Sequence, residues 1–410
     1  WGPLAGTFLR KEVARDLMSF YGKERGNIKG LTKTIDALVD IDQMATGLFK
    51  IGKVPLNLPT VVRNTISNPI QLNMSGMNFA DIIKNMVRTG EDFIHKPPTY
   101  IKAFRAGLFK TNWSVTEINE VMNQFRHLKG DTFADVVGAV KNLSKYYGKI
   151  DDFFKYTKLL DGLDNKLPFD KAVIEAQKWV MDYSLADPSI KWARKHFIPF
   201  ASYSYKIAPL VAESGIKRPW VIAKYMALPF AMMGLAKELY KDEMTEEDWQ
   251  GLKRTIPEEV TRRQSFLLIP WKINDKWYWF DYSYFLPWGN YMNAISGISS
   301  GDIKSPFTQF GIGGTPTLTA LKTFTGATMR DEPPKDSFSG YPLYNRIDKP
   351  MDKALKVSEY FYNLFAPSMV TRFGALGYTF DIGKEDKYGR VKPAEQVIGK
   401  WFGANLHEAD

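Results

Sequence analysis

The chain has 410 residues, 44% of them apolar and 24% charged, the balance of a folded protein with a sizeable core and not of a disordered one. Lys and Arg number 55 against 45 Asp and Glu, so the net charge is +10, a field that favours anionic neighbours without choosing among nucleic acid, lipid head groups and an acidic protein. There is no cysteine, which excludes disulfides, thiolate metal sites and cysteine nucleophiles together.

Aromatic residues make up 14% of the chain, an excess that suits large interfaces as well as cores. The first residue is Trp1, and no charged segment followed by an apolar one marks a signal peptide, so the chain reads as a piece of a longer polypeptide.

In chain order, residues 1–50 read as helical, with Leu9, Val13, Leu17 and Phe20 at helical spacing. Residues 52–69 carry three prolines and read as an extended connector, with a short helix around 61–67. Amphipathic helices follow. Phe79, Ile82, Ile83, Met86 and Val87 form one apolar stripe that Gly90 ends, and Ser114 with Glu117 makes a capping box for the next helix. Phe133 to Val140 begins a helix ending near Gly148, Ile150 to Leu160 supplies another, and Leu167-Pro168 introduces a third.

A helix over residues 189–197 precedes four prolines spaced ten apart, Pro199, Pro209, Pro219 and Pro229. No matching side chains surround them, so they mark helix starts or kinks and not a repeat. After Thr245, the acidic run Glu246-Glu247-Asp248 sits at the favourable end of a helix. The pattern then changes to Phe266–Ile273, the turn pair Asn274-Asp275 and the aromatic run 276–284, the signature of a β-hairpin. Residues 297–350 read as a loop-rich arm, and helix returns over 351–378 and 393–402.

The expected fold is therefore mainly α: an elongated multi-helix array with one small β-hairpin and a loop-rich C-terminal arm. Its divisions are 1–69 (helices and connector), 70–255 (helical core), 256–296 (hairpin), 297–350 (arm) and 351–410 (C-terminal helices).

Catalytic motifs are not legible. His95, His127, His196 and His407 lie far apart with no metal-ligand spacing, no nucleophile elbow exists, and Gly311-Ile312-Gly313-Gly314 lacks the Lys and Ser/Thr of a phosphate loop. Asp151-Asp152 and Glu246-Glu247-Asp248 lie on expected helices, where helix-end electrostatics and solvation account for them. No cofactor is expected, and the chain is not read as an enzyme. A pocket gathering Asp281, Arg262 and a histidine would revive that reading.

Two stretches carry contact chemistry. Lys191, Arg194, Lys195, Lys206, Lys217 and Arg218 alternate with Trp192, Tyr203, Tyr205 and Trp220. Cations neutralise phosphates and rings stack on bases, so this stretch is a candidate for sequence-independent DNA or anionic-lipid contact, beside the plainer reading of a solvated face. The second stretch, residues 220–240, is a candidate membrane or partner contact through Trp220, Tyr225, Met226, Leu228, Phe230, Met232, Met233, Leu235 and Tyr240. Its uninterrupted apolar centre, 225–236, is short for a spanning helix, and Lys224, Lys237 and Pro229 argue for a buried core helix first.

The opening 1–6 (WGPLAG), the run 197–203 (FIPFASY), the apolar segment after Pro219, and the stretch from Ile256-Pro257 through 277–281 (WYWFD) to Pro287 resemble the large polyvalent proteins of tailed bacteriophages. The resemblance covers about a third of the chain in patches, a rough proportion resting on structural and not catalytic motifs. It implies a mainly helical segment of an internal virion protein of the ejection type, packed beside portal, tail or internal proteins as a homo-oligomer. From the virion it would pass into the host envelope and assist DNA delivery. A virion scaffold that is never ejected is the alternative.

Overall fold

The structure is a computed structural model that describes residues 46, 58–110, 131–181, 190, 201–257, 260–261, 265–299, 301, 323–324, 333–334, 342–365 and 406–409. Of these residues 72% are helical, in ten α-helices, with one small three-stranded antiparallel sheet. The mainly-α expectation holds.

The first helix, α1 (Leu58–Met74), replaces the second half of the expected connector and carries Pro69 within it, so the division drawn at residues 69/70 falls inside a helix. It ends at Gly76, whose φ of +103° is open to glycine but strained for other residues. Helix α2 (Phe79–His95) begins under an Asn78 cap, whose side-chain oxygen accepts from the Asp81 N–H at 2.9 Å. It runs straight through Gly90, the expected stop, and closes only at the left-handed Lys96. A short α3 (Pro98–Arg105) follows.

Helix α4 (Asp131–Asp164) joins what reads in sequence as two helices, with Gly148 inside it. A single glycine costs a helix about 1 kcal/mol, which the burial of Phe154, Tyr156, Leu159 and Leu160 outweighs. Helix α5 (Phe169–Trp179) starts directly after Pro168, as expected. The centre of this region is α4, which packs on α5, α2 and α1. Its core on the α3/α5 side holds Ala103, Leu108, Tyr156, Leu160, Val173 and Ala176. The Tyr156 hydroxyl donates to Asp92 at 2.7 Å, and the rings of Phe93, Tyr100, Phe109 and Tyr156 meet mostly edge to face.

The second half is built around α6 (Ala201–Lys217) and α7 (Pro219–Leu239), joined by Arg218 alone. Pro219 occupies the first turn of α7, where its missing N–H costs nothing, while Pro209 and Pro229 lie inside their helices. Helix α8 (Glu246–Thr255) opens on a full capping box between Thr245 and Asp248.

The hairpin forms where expected. Strand β1 (Phe266–Leu268) pairs with β2 (Trp277–Asp281) in the register Leu267 to Phe280, and the turn places Asn274 at φ +52° and Asp275 at φ +61°. Two features differ from expectation. The aromatic run breaks after Asp281 into a 3-10 turn, Tyr282–Phe285, because Asp281 accepts from the Ser283 N–H at 2.9 Å and caps it. A third strand, β3 (His407–Ala409), pairs antiparallel with the other edge of β2, so the element is a sheet and not a lone hairpin.

Helices α9 (Gly289–Ser299) and α10 (Pro350–Phe365) complete the described elements, the latter as expected over the start of 351–378. The expected helices of 1–50 (apart from residue 46), 114–125, 189–197 (apart from residue 190) and 393–402, and most of the 297–350 arm, lie outside the described residues.

Candidate functional surface on helix α7

Helix α7 has 21 residues, about 31 Å at 1.5 Å per residue. Its one buried line is Val221, Tyr225, Pro229, Met233 and Ala236. The N-terminal part of this line joins the core of Ile70, Met74, Trp179, Ile207, Tyr282 and Trp288, and the C-terminal part joins that of Trp249, Leu252, Phe266, Leu268 and Trp277. The hairpin is thus not separate from the helices; it shares a core with α7 and α8.

Pro229 cannot donate to the carbonyl of Tyr225, one turn back. The hydroxyl of Tyr282 donates to that carbonyl instead, at 3.0 Å in a buried setting. Burial raises the Tyr282 hydroxyl to about 12, with the Asp281 charge adding to the effect, so it remains a donor across ordinary pH. The residue that follows β2 therefore repairs the break in α7.

The opposite side of α7 is also largely apolar, and it is exposed. Trp220 is 65% exposed and Phe230 59%, with Leu228, Leu235 and Leu239 exposed beside them. A helix apolar on all sides belongs in a core or in a bilayer. Among the described residues α7 is the one helix long and apolar enough to cross a membrane, with a mean hydropathy of 1.2 over its best window.

The expected contact residues of this helix therefore divide. Trp220, Leu228, Phe230 and Leu235 face outward; Tyr225 and Met233 face the core; Met226, Met232 and Tyr240 lie between. Tyr240 is committed inward, its oxygen accepting from the Lys272 N–H at 3.1 Å and its ring set edge-on to Trp277 at 4.9 Å. The preferred reading of a buried core helix holds for one side of α7 only.

Among the described residues, the basic candidates do not form one face. Lys191, Arg194 and Lys195 lie outside the described residues, and Lys206 is half-buried on α6. Lys217 pairs with Glu213 at 3.0 Å, and Glu213 also receives Lys178 at 2.7 Å. Those two lysines hold the Glu213 carboxyl below its usual range, the bond from Lys178 being the larger cause. Arg218 points inward: Nη1 donates to the Met74 carbonyl at 3.1 Å, at the negative end of α1, and the guanidinium lies 5.9 Å from the Trp179 ring centre. Lys224 donates to Asn73 Oδ1 at 2.6 Å and stands 4.3 Å from the ring centre of Phe79.

Among the described residues no three His, Asp or Glu side chains gather to hold a metal. Asp281 is engaged in its cap, Arg262 lies outside the described residues, and His407 stacks on Trp279 at 4.6 Å, a contact that sequence distance concealed. No family model, curated protein or solved structure matches the chain.

Proposed function

We propose that the chain is a structural internal virion protein of a tailed bacteriophage, of the ejection type, and that α7 is the element that meets the host envelope. One observation carries this reading: α7 is apolar all round, and one side is held by the protein while the other presents Trp220, Phe230 and Leu235 to solvent. The likeness of the sequence patches to phage polyvalent proteins supplies the biological setting.

Moving each outward Leu or Phe out of water contributes about 1.5–3 kcal/mol. The helix length matches a hydrocarbon core of about 30 Å. Lys224 and Lys237 lie towards its two ends and are held by Asn73 and Glu246, so the middle of the helix carries no charge. Lys217 and Lys241, exposed beyond those ends in surface pairs with Glu213 and Glu238, can exchange those partners for anionic lipid. Before ejection the same outward side would pack against portal, tail or other internal proteins. The reading assigns no reaction and no cofactor.

The test pairs two measurements. Mass spectrometry of particles before and after DNA release should show the chain lost from emptied particles. Flotation with anionic vesicles should recover the wild-type chain and lose the Phe230→Glu/Leu235→Glu variant. Retention in emptied particles together with no vesicle binding would sink the proposal.

A second reading, a virion scaffold that stays in the particle, draws on the inner side of α7, where Tyr282, Asn73 and Lys224 bind the helix to its neighbours. Retention with unchanged vesicle indifference is its signature.

A further inference from the structure

Helix α2 carries apolar residues on both sides, with Ile82 buried and Met86 and Phe93 packed against the core. Its inner face sets Asn85 (1% exposed) and Thr89 (0%) against α4, where the Thr89 and Thr157 hydroxyls share a hydrogen bond of 3.0 Å. Its outer face is apolar: Ile83 is 62% exposed, Val87 57% and Ile94 75%. Sequence periodicity reads this stripe as core, and only Ile82 of its centre is buried fully.

The outer stripe follows a heptad. Ala80, Ile83, Val87, Gly90 and Ile94 recur at spacings of three, four, three and four, the seam of a two-helix coiled coil. Gly90 leaves a hole in the seam, for a Cβ placed there meets no atom within 4 Å. The flanking positions one residue beyond Ile83 and Gly90 are Lys84 and Glu91, both exposed and of opposite sign. An antiparallel copy of the same helix sets Ile83 against Ile94, seats Val87 over the Gly90 hole, and brings each Lys84 to the other chain's Glu91. A parallel copy would instead turn Lys84 and Glu91 towards the flank of the other helix that carries Met86 and Phe93, and the charge pair would not form. The charges around the stripe balance, with Lys84 and Arg88 against Asp81 and Glu91, so the stripe lacks the cationic rim that draws a helix to anionic lipid.

We infer that the outer face of α2 is a self-association surface, on which a second copy of this chain packs antiparallel about a two-fold axis between Val87 and Gly90. The contact is isologous, so each favourable pair occurs twice. Lys84 already bonds Asp164 at 2.9 Å, but Asp164 keeps Arg88 at 2.7 Å when Lys84 turns to a partner. The surface is separate from α7, and the inference does not rest on the ejection reading. It gives the expected homo-oligomer a named interface.

The absence of cysteine makes the test direct, because any introduced cysteine is the sole thiol. Sedimentation velocity of the full chain should show a concentration-dependent dimer. Ile83→Cys and Ile94→Cys variants, mixed and mildly oxidised, should cross-link to each other and not to themselves. Glu91→Lys should weaken the dimer by about tenfold, since the axis repeats each clash, and the Lys84→Glu/Glu91→Lys double variant should recover it. All these positions are exposed, and circular dichroism of each variant checks the fold. A monomer at every concentration overturns the inference. So does self-cross-linking of Ile83→Cys, which marks a parallel pair, or a vesicle-bound monomer with a fluorophore at Val87→Cys buried in lipid.

Discussion

Replacing Tyr282 by Phe removes one oxygen and leaves no cavity, so the effect isolates a single hydrogen bond. That oxygen serves the Tyr225 carbonyl at 3.0 Å, and the natural intrahelical donor is missing because residue 229 is proline. A typical bond removed in this way costs about 1 kcal/mol net, but a buried acceptor left unpaired costs about 1–3 kcal/mol. The acceptor is buried and its intrahelical donor is a proline, so the loss belongs near the middle of that range, about 2 kcal/mol.

Pro229→Ala supplies the control. It restores an N–H one turn beyond Tyr225, so Tyr282→Phe in that background should cost about 1 kcal/mol less than in the wild type. Urea unfolding followed by tryptophan fluorescence gives both differences, and hydrogen exchange along 225–233 locates them. A Tyr282→Phe variant within about 0.3 kcal/mol of wild type would refute the repair of the α7 break, because this lies below the cost of any buried orphan. An equal penalty in both backgrounds would refute its dependence on Pro229.

Three further outcomes are expected. Arg218→Ala should destabilise the α1–α7 joint by about 2 kcal/mol, through a charged hydrogen bond to the Met74 carbonyl; a change in DNA affinity with stability untouched would instead make Arg218 a phosphate contact. Burial drives the Asp151 carboxyl from 3.8 up to about 6, against the opposing pull of Lys155. Because the folded value stands above the unfolded one, the stabilising contribution is complete below about pH 4 and lost as pH rises through about 6, with a ceiling of about 3 kcal/mol. Unfolding measured from pH 4 to 7 should therefore be flatter in Asp151→Asn than in wild type. Asp275→Gly should stabilise the hairpin by about 0.5–1 kcal/mol, since Asp275 holds φ +61° in the turn; a lower melting temperature would contradict the turn assignment.

The elements legible in the sequence are those whose signals are local. The Thr245–Asp248 box, the Pro168 start of α5 and the Asn274-Asp275 turn each act within a few residues, and each appears where its chemistry places it. Gly90 and Gly148 mislead for the complementary reason. A glycine penalty of about 1 kcal/mol is local, and the packing that outweighs it is not.

The same division runs through the contact surfaces. Composition alone makes α7 apolar and α2 amphipathic, because hydropathy and period are properties of the chain. Which side of each helix turns inward depends on its partners. Thr157 of α4 draws Thr89 in and leaves Ile83, Val87 and Ile94 outside, while the sheet and Tyr282 cover one side of α7 and leave Trp220 and Phe230 uncovered. The strand His407–Ala409 completes that sheet from the far end of the chain, through pairing that no local pattern encodes. Sequence determined the helices, the turn and the lack of cysteine; tertiary packing decided which apolar faces became core and which became surface.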